Sequence, residues 1–136
     1  GLSGGQGRME SEFVGSDAPT LWLLTPWMYE GIDIPVGTVD HFVIDQVPFD
    51  YPSHAVLSRR AEKYKDPFRD YFLPRLEHRL FRLLRTFARH RTAAADVQIL
   101  DKRLKEKEYG KRLIRYLNHF ASSIAEPKSK PQMKLF

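Results

Sequence analysis

The segment from Leu76 to His90 constrains the fold of this chain more than any other part of the sequence. Its apolar residues stand at i, i+4, i+7, i+8 and i+11, which is the spacing of one helical face: Leu76, Leu80, Leu83, Leu84 and Phe87. This spacing predicts an amphipathic helix that buries one continuous stripe. A chain of 136 residues, of which 42% are hydrophobic, can supply the core for that stripe within one domain of ordinary size.

Short apolar runs flank this helix and are typical of buried strands: residues 21–24, 41–45 and 97–100. Further helices are predicted at residues 53–64, with Ser53 as the cap, and at residues 107–120. Because strands alternate with helices, the pattern predicts an α/β fold, a parallel sheet with helices on both faces. In such sheets ligands bind beyond the carboxyl ends of the strands, so the loops after Leu24, Ile44 and Leu100 are the places to look for chemistry.

The helical face opposite the apolar stripe is basic. His78, Arg82, Arg85 and Arg89 fall within about 60° of one another when 100° is assigned to each residue. A solvated basic face explains this pattern, and so does a face directed at phosphate. Arginine suits the second role because its guanidinium binds two oxygens at once and keeps its charge.

The loop after the first apolar run places two carboxylates, Glu30 and Asp33, around Gly31. We expect Gly31 to allow a backbone turn that a side chain would block. An ordinary loop with helix caps explains the same residues.

Composition excludes several classes of site. The chain has no cysteine, so it has no disulfide, no thiolate metal site and no iron–sulfur ligand of its own. Its histidines lack metal-ligand spacing, and we predict no metal site. No apolar run has the length of a membrane span and the polar start is unlike a signal peptide, so a cytoplasmic location is expected. The net charge of +5 is weak support for a nucleic-acid partner.

Four segments together resemble XPD/DinG-type superfamily-2 DNA helicases. Residues 23–35, with Glu30-Gly31-Ile32-Asp33-Ile34-Pro35, are similar to motif V of that family, roughly S-F-W-E-G-[VI]-D-x-P. Residues 78–85 are similar to motif VI, Q-x-x-G-R-x-I-R. Val47-Pro48-Phe49 with Pro52 resembles the family's L-P-F-x-x-P, and residues 100–111 resemble its D-x-R…Y-G. The order and spacing agree over about residues 5–120.

The resemblance implies that residues 1–124 form a truncated second RecA-like motor lobe. By position Arg85 would be the arginine finger on the γ-phosphate of ATP, and Arg82 its partner. Glu30, Gly31, Asp33 and His78 would hold the nucleotide cleft and couple it to DNA. Thr25 and Trp27 would lie against the DNA strand.

The remaining parts of such a motor are expected elsewhere in a longer protein. No G-x-x-x-x-G-K-[ST] and no D-E-x-H segment occurs here, so we expect a missing first lobe to bind most of the ATP and magnesium and to carry any iron–sulfur cluster. This segment alone is predicted to be inactive as an ATP hydrolase. Arg79 and Phe81 stand where the family has glycine. The alternative is therefore a degenerate, non-hydrolytic RecA-like module that binds nucleic acid or a protein.

From Ala125 the chain is rich in Pro, Lys and Ser, which predicts a flexible tail over residues 125–136. Its last five residues, Gln132-Met133-Lys134-Leu135-Phe136, resemble the peptide that binds the bacterial sliding clamp, roughly Q-[LM]-x-L-F. The resemblance implies that Leu135 and Phe136 enter an apolar pocket and that Gln132 hydrogen-bonds at its rim. The other interpretation is a terminus that docks on its own domain. Together with the helicase resemblance, clamp binding implies a role in DNA repair or replication.

Overall fold

The computed structural model describes residues 3–51, 53–124 and 132–135. Its helices are α1 (Ser3–Gly15), α2 (Pro26–Glu30), α3 (Ala55–Ala61), α4 (Leu73–His90), α5 (Arg103–Glu106) and α6 (Glu108–Ile124). A π-helical turn, Phe68–Phe72, leads directly into α4. The strands are β1 (Val39–Ile44), β2 (Arg91–Ile99) and β3 (Gln132–Leu135).

The three strands form one sheet in the order β1-β2-β3, and both pairings are parallel. Ile44 pairs with Ile99 where β1 and β2 end, so their carboxyl ends lie side by side. The predicted α/β fold with a parallel sheet is confirmed. Because α4 lies between β1 and β2 in the chain, and α6 lies between β2 and β3, each pair of strands is joined by a helical crossover.

Helix α4 buries the stripe that its spacing predicts. Leu76, Leu80, Leu84 and Phe87 are each at most 1% exposed. Complete burial of such a side chain is worth about 1.5–3 kcal/mol before ordering costs, so this stripe is a main contributor to the stability of the core.

The two crossover helices lie on the same face of the sheet. Phe81 of α4 packs edge-on against Phe120 of α6, with ring centroids 5.4 Å apart. When two crossovers have the same handedness and join neighbouring strands in the same order across a sheet, their helices lie on the same side of it. The opposite face carries the exposed side chains of His41 and Val43, and a second helical layer over them is not found in the described ranges.

The apolar run at residues 21–24 is not a strand, contrary to expectation. Leu21 and Leu23 are 81% and 83% exposed, whereas Trp22 and Leu24 pack partly buried against the core. A strand needs a neighbour to receive its backbone hydrogen bonds, and in the described part of the chain this run has none. The cap of α3 also differs from the prediction, because it is His54 rather than Ser53.

The segment after β2 ties the carboxyl ends of β1 and β2 together. Asp101, which is buried, accepts hydrogen bonds from the backbone N–H of Val47 at 2.9 Å and of Arg103 at 3.0 Å. Further along, Gly110 at the start of α6 lies so close to α5 that a Cβ there would stand 2.0 Å from the carbonyl oxygen of Leu104. The D-x-R…Y-G pattern thus fixes how the chain turns from β2 into α6.

The C-terminal segment Gln132–Leu135 pairs in parallel with β2, from Asp96 opposite Gln132 to Ile99 opposite Leu135. The structure therefore orders these residues where composition predicts a flexible tail, because the edge of β2 offers free backbone groups. Residues 125–131, Phe136 and Pro52 lie outside the described residues. None of the helices among the described residues has the length and hydrophobicity to cross a membrane.

Candidate functional site

The N-terminal half of α4 lies at the carboxyl end of β1. In the loop that follows β1, the carbonyl oxygen of Pro48 accepts a hydrogen bond from Nη1 of Arg79 at 2.8 Å. At the other end of α4, the carbonyl oxygen of His90 accepts from the backbone N–H of Thr38, next to the start of β1, at 3.0 Å. The helix therefore runs antiparallel to β1, and its first turns face the edge where parallel sheets bind ligands.

Asp50 joins the loop after β1 to two arginines of α4. Its carboxylate, 5% exposed, accepts from Nε of Arg75 at 2.7 Å and from Nη2 of Arg79 at 3.0 Å. Burial alone would raise the pKa of Asp50, but the hydrogen bonds and charges of Arg75 and Arg79 bring it below its usual value. The carboxylate therefore stays ionised and holds both guanidinium groups in place.

Arg82 and Glu30 form the direct link between α4 and the end of α2. Nη2 of Arg82 lies 2.5 Å from Oε2 of Glu30, whose side chain is 17% exposed. The Arg82 side chain is 56% exposed, so one bond to Glu30 leaves it accessible to another anion. The exposed guanidinium can therefore change partners, whereas Glu30, which is mostly buried, needs another donor when it loses Arg82.

A cleft of about 400 Å³ opens beside these arginines. Cationic and polar side chains dominate its walls, and the lining residues are Tyr64, Asp70, Tyr71, Pro74, Arg75, His78, Arg79 and Arg82. The structure thus brings His78 and Arg82 together, as the helical spacing predicts. Such a cleft can bind a multiply charged anion, because guanidinium groups fork onto phosphate oxygens.

Arg85 follows Arg82 by about one helical turn and does not line this cleft. Its side chain is exposed, and it forms no ion pair or hydrogen bond with any residue that the structure describes. Arg85 is therefore free to reach a ligand that approaches α4 from outside. Its role as a finger stays a prediction.

Asp33 is exposed and, among the described residues, forms no ion pair with Arg82, whereas Glu30 does. Burial and the charge of Arg89 lower the pKa of His90 at the end of α4, and the charge of Asp33 opposes them. The structure thus gives Glu30, but not Asp33, a direct contact with Arg82.

Gly31 does not serve the turn that its position suggests. Its φ is −94°, which any residue adopts, and a Cβ there would meet only the carbonyl oxygen of Met28 at 3.8 Å. The expectation that a side chain would block this turn is wrong. A requirement for glycine here would have to come from a close ligand.

Thr25 and Trp27 stand at the start of α2. Oγ1 of Thr25 accepts from the backbone N–H of Met28 at 3.3 Å, so Thr25 is the helix cap. Trp27 is 56% exposed, and the guanidinium carbon of Arg79 lies 5.0 Å from its ring centroid. That contact holds a large exposed ring at the carboxyl edge of the sheet.

Arg79 and Phe81, which stand where the resembled motif VI has glycine, both have structural contacts. Arg79 binds Asp50, the carbonyl of Pro48 and the Trp27 ring. Phe81 packs on Phe120 of α6, which places its ring between the two crossover helices. Phe81 therefore fills the helix interface.

Asp50 is a site residue that no sequence pattern singled out. It lies in the loop after β1 and holds Arg75 and Arg79, and Asp101 of the D-x-R pattern holds Arg103 after β2. The signal for Asp50 was the i, i+4 pair Arg75 and Arg79, whose shared face needs a nearby anion.

Metal ligation has no support in this part of the protein. The described residues contain no cluster of three or more His, Cys, Asp or Glu side chains that could hold a metal ion.

Comparison with known proteins adds an independent line of evidence. The family described as "Helicase C-terminal domain" matches residues 10–120. The chain is 27% identical over 113 residues to the ATP-dependent DNA helicase DinG of Photobacterium profundum, which covers 80% of this chain and 16% of that protein. It is 26% identical over 116 residues to the ATP-dependent DNA helicase YoaA of Haemophilus influenzae, covering 82% of this chain and 18% of that protein.

The chain thus spans less than a fifth of the length of either of these curated relatives. No solved structure matches it. The match to the family extends over nearly all of the folded residues and includes the segments that resemble motifs V and VI. The chain therefore belongs to the family of helicase C-terminal domains found in DinG-type helicases.

Proposed function

We propose that this chain is the C-terminal motor lobe of an ATP-dependent DNA helicase that acts in DNA repair or replication in the cytoplasm. The observation that carries the proposal is the link between Glu30 and Arg82, with Arg85 unpaired among the described residues one turn further on. It joins the segment that resembles motif V to the one that resembles motif VI. Membership in the helicase C-terminal domain family supports the same conclusion.

In this proposal Arg85 contacts the γ-phosphate of ATP and Arg82 assists it, with His78 beside them. The first lobe of the same protein binds most of the ATP and its magnesium. ATP would supply the phosphoryl group that is transferred to water, and magnesium would neutralise phosphate charge. The side chains of this lobe fit a triphosphate, because Arg82 and His78 line one cleft and the exposed Arg85 stands one turn beyond it. In this proposal the exposed guanidinium of Arg82 turns from Glu30 to phosphate oxygens, and the mostly buried Glu30 carboxylate loses that partner.

The exchange at Arg82 offers a route from nucleotide to DNA. Glu30 is the last residue of α2, and α2 begins with Pro26 and Trp27 after the Thr25 cap. A change in the Glu30–Arg82 link therefore acts on the helix that we expect to touch the DNA strand. Gly31 and Asp33 follow directly and would adjust with it.

The test is Arg85→Ala in the full-length protein. We expect DNA-stimulated ATP hydrolysis to fall by about 10³-fold or more, as for arginine fingers generally, while the fold is kept. Arg115→Ala, an exposed arginine on α6, is the matched control and should leave turnover unchanged. Equal turnover in wild type and Arg85→Ala would refute the finger assignment.

The second candidate is a non-hydrolytic RecA-like module that binds nucleic acid or a protein. The contacts of Arg79 and Phe81 favour it, because these side chains, which stand where the resembled motif has glycine, are held by Asp50 and Phe120. Full-length protein that binds DNA tightly yet shows no ATP turnover would support this candidate over the motor.

We also propose that the C-terminal segment binds a bacterial sliding clamp through Gln132, Leu135 and Phe136. The resemblance of the pentapeptide supports it. The pairing of Gln132–Leu135 with β2 adds a condition, because the backbone must leave β2 before the segment can extend into another protein.

A further inference from the structure

A large aromatic cleft lies at the carboxyl end of β1, apart from the cationic cleft. Its volume is about 860 Å³, within the range of ligand sites. It is bordered by α2, the loop after β1, the π-helical turn before α4 and the start of α6. The rings that line it include Trp27, Phe49, Phe68, Phe72 and Tyr109.

Three of these rings support one another. The ring centroids of Phe49 and Phe68 are 6.0 Å apart, those of Phe49 and Tyr109 are 5.5 Å apart, and those of Phe68 and Tyr109 are 5.2 Å apart. The guanidinium of Arg103 lies 5.2 Å from the Phe49 centroid. Arg103 is in turn fixed by Asp101 at 2.6 Å, so the wall is preorganised.

The rim combines exposed rings with neutralised carboxylates. Phe68 is 38% and Trp27 is 56% exposed, so planar groups can reach both. The carboxylates that border the cleft are engaged, because Asp50 binds two arginines and Asp66 accepts from the backbone N–H of Arg69. The cleft thus offers apolar ring surface, and both carboxylates that line it have hydrogen-bond partners.

Exposed cations stand next to this cleft in the sequence. Lys65 precedes the lining residue Asp66, and Lys102 precedes the lining residue Arg103. Glu108, which is also exposed, precedes the lining residue Tyr109, so charges of both signs flank the cleft in the sequence. Proteins hold single-stranded nucleic acid with aromatic rings that accept bases and with cations that accept phosphates.

We propose that this cleft stacks the bases of a single DNA strand, with Phe68 as a principal platform. The proposal rests on the proposed helicase function and extends it from the α2 segment to the π-helical turn and α6. Bases stack on aromatic rings with little sequence preference, so the site would serve a strand that moves past it.

The experiment compares an ordinary oligothymidylate with an abasic strand of equal length, using the full-length protein and fluorescence anisotropy. Phe68→Leu keeps apolar volume and removes the ring. We expect it to weaken binding of the ordinary strand roughly tenfold and to leave binding of the abasic strand unchanged, since loss of a stacked base costs about this much. Phe68→Trp should keep the wild-type preference for bases.

Phe13→Leu is the matched control, because Phe13 is an aromatic residue of α1 that does not line the cleft. Wild-type affinity for the ordinary strand in Phe68→Leu would overturn the proposal and leave the cleft to a protein partner. An equal loss on both strands would also overturn it.

If wild type neither binds DNA nor hydrolyses ATP in its presence, the proposed function fails as a whole. If wild type does both and Phe68→Leu behaves the same, only the cleft proposal fails.

Discussion

At the scale of single residues, Gly110 has the strictest requirement in the described structure. A Cβ on it would stand 2.0 Å from the carbonyl oxygen and 2.5 Å from the carbonyl carbon of Leu104, both of which are backbone atoms. No side-chain rearrangement relieves such a contact, so α5 and α6 would have to separate. The glycine of the Y-G pattern is thus explained by close packing of two helices.

We therefore expect Gly110→Ala to lower the free energy of unfolding by about 3 kcal/mol, the upper end of overpacking costs. Gly31→Ala is the control, because its Cβ would have open space and an ordinary φ, and it should change stability by less than about 1 kcal/mol. Urea unfolding followed by circular dichroism measures both. A Gly110→Ala protein as stable as wild type would contradict the close approach.

The Asp50 cluster yields a prediction that depends on pH. The pKa of Asp50 is lower in the folded state than its value of about 3.9 in the unfolded chain. Its ionised carboxylate therefore stabilises the fold fully above about pH 3.9. This stabilisation is lost as the pH falls through the pKa of the folded state. We expect Asp50→Asn to cost about 2 kcal/mol at pH 7, because Arg75 and Arg79 lose a charged acceptor.

The same variant should lose less stability than wild type between pH 5 and pH 3, since the group that titrates is gone. Asp45→Asn, a change at an exposed residue in the same loop, is the control for both measurements. Parallel acid-unfolding curves for wild type and Asp50→Asn would show that the pair contributes no pH dependence.

At the scale of elements, the sequence predicted what periodicity encodes. The apolar stripe of α4 follows from its spacing, because burial on one side imposes a period on the sequence. The strands β1 and β2 were expected from short apolar runs at residues 41–45 and 97–100, and β2 begins earlier, at Arg91. The run at residues 21–24 shows the limit of this reasoning. Its residues have strand-like composition, but a strand also requires a neighbour, and composition carries no information about neighbours.

The candidate site was predictable in part for a similar reason. Helical spacing placed His78 and Arg82 on one face, and the structure gathers both at one cleft. The contacts with Asp50 and Glu30 come from separate loops, and no periodic pattern relates loop residues to a helix face. The packing of Phe81 on Phe120 joins residues 39 positions apart, which is equally invisible to local spacing.

At the scale of the whole molecule, the C-terminal segment belongs to the sheet and, in our proposal, also to a partner. In isothermal titration calorimetry, we expect the intact chain to bind a bacterial sliding clamp with a dissociation constant on the order of micromolar. Deletion of Leu135 and Phe136 should abolish this binding. Lys134→Ala is the control, because the pentapeptide pattern accepts any residue at that position. Equal binding with and without the last two residues would remove the proposal.

A free peptide of residues 128–136 sharpens this measurement. It has no β2 to leave, so it should bind the clamp at least as tightly as the intact chain does. A peptide that binds more weakly than the chain would mean that other surfaces contribute, contrary to a mechanism that depends on the segment alone.

The pairing of β3 with β2 has one more consequence, for the behaviour of the molecule in concentrated solution. While the segment is in place, its peptide groups satisfy the outer edge of β2 from Asp96 to Ile99. Without it, that edge presents unsatisfied amide and carbonyl groups, a template on which other chains can add and aggregate. When another protein captures the segment, the same edge of β2 becomes free for fibre-like self-association of the lobe. A single row of backbone hydrogen bonds therefore couples the two events.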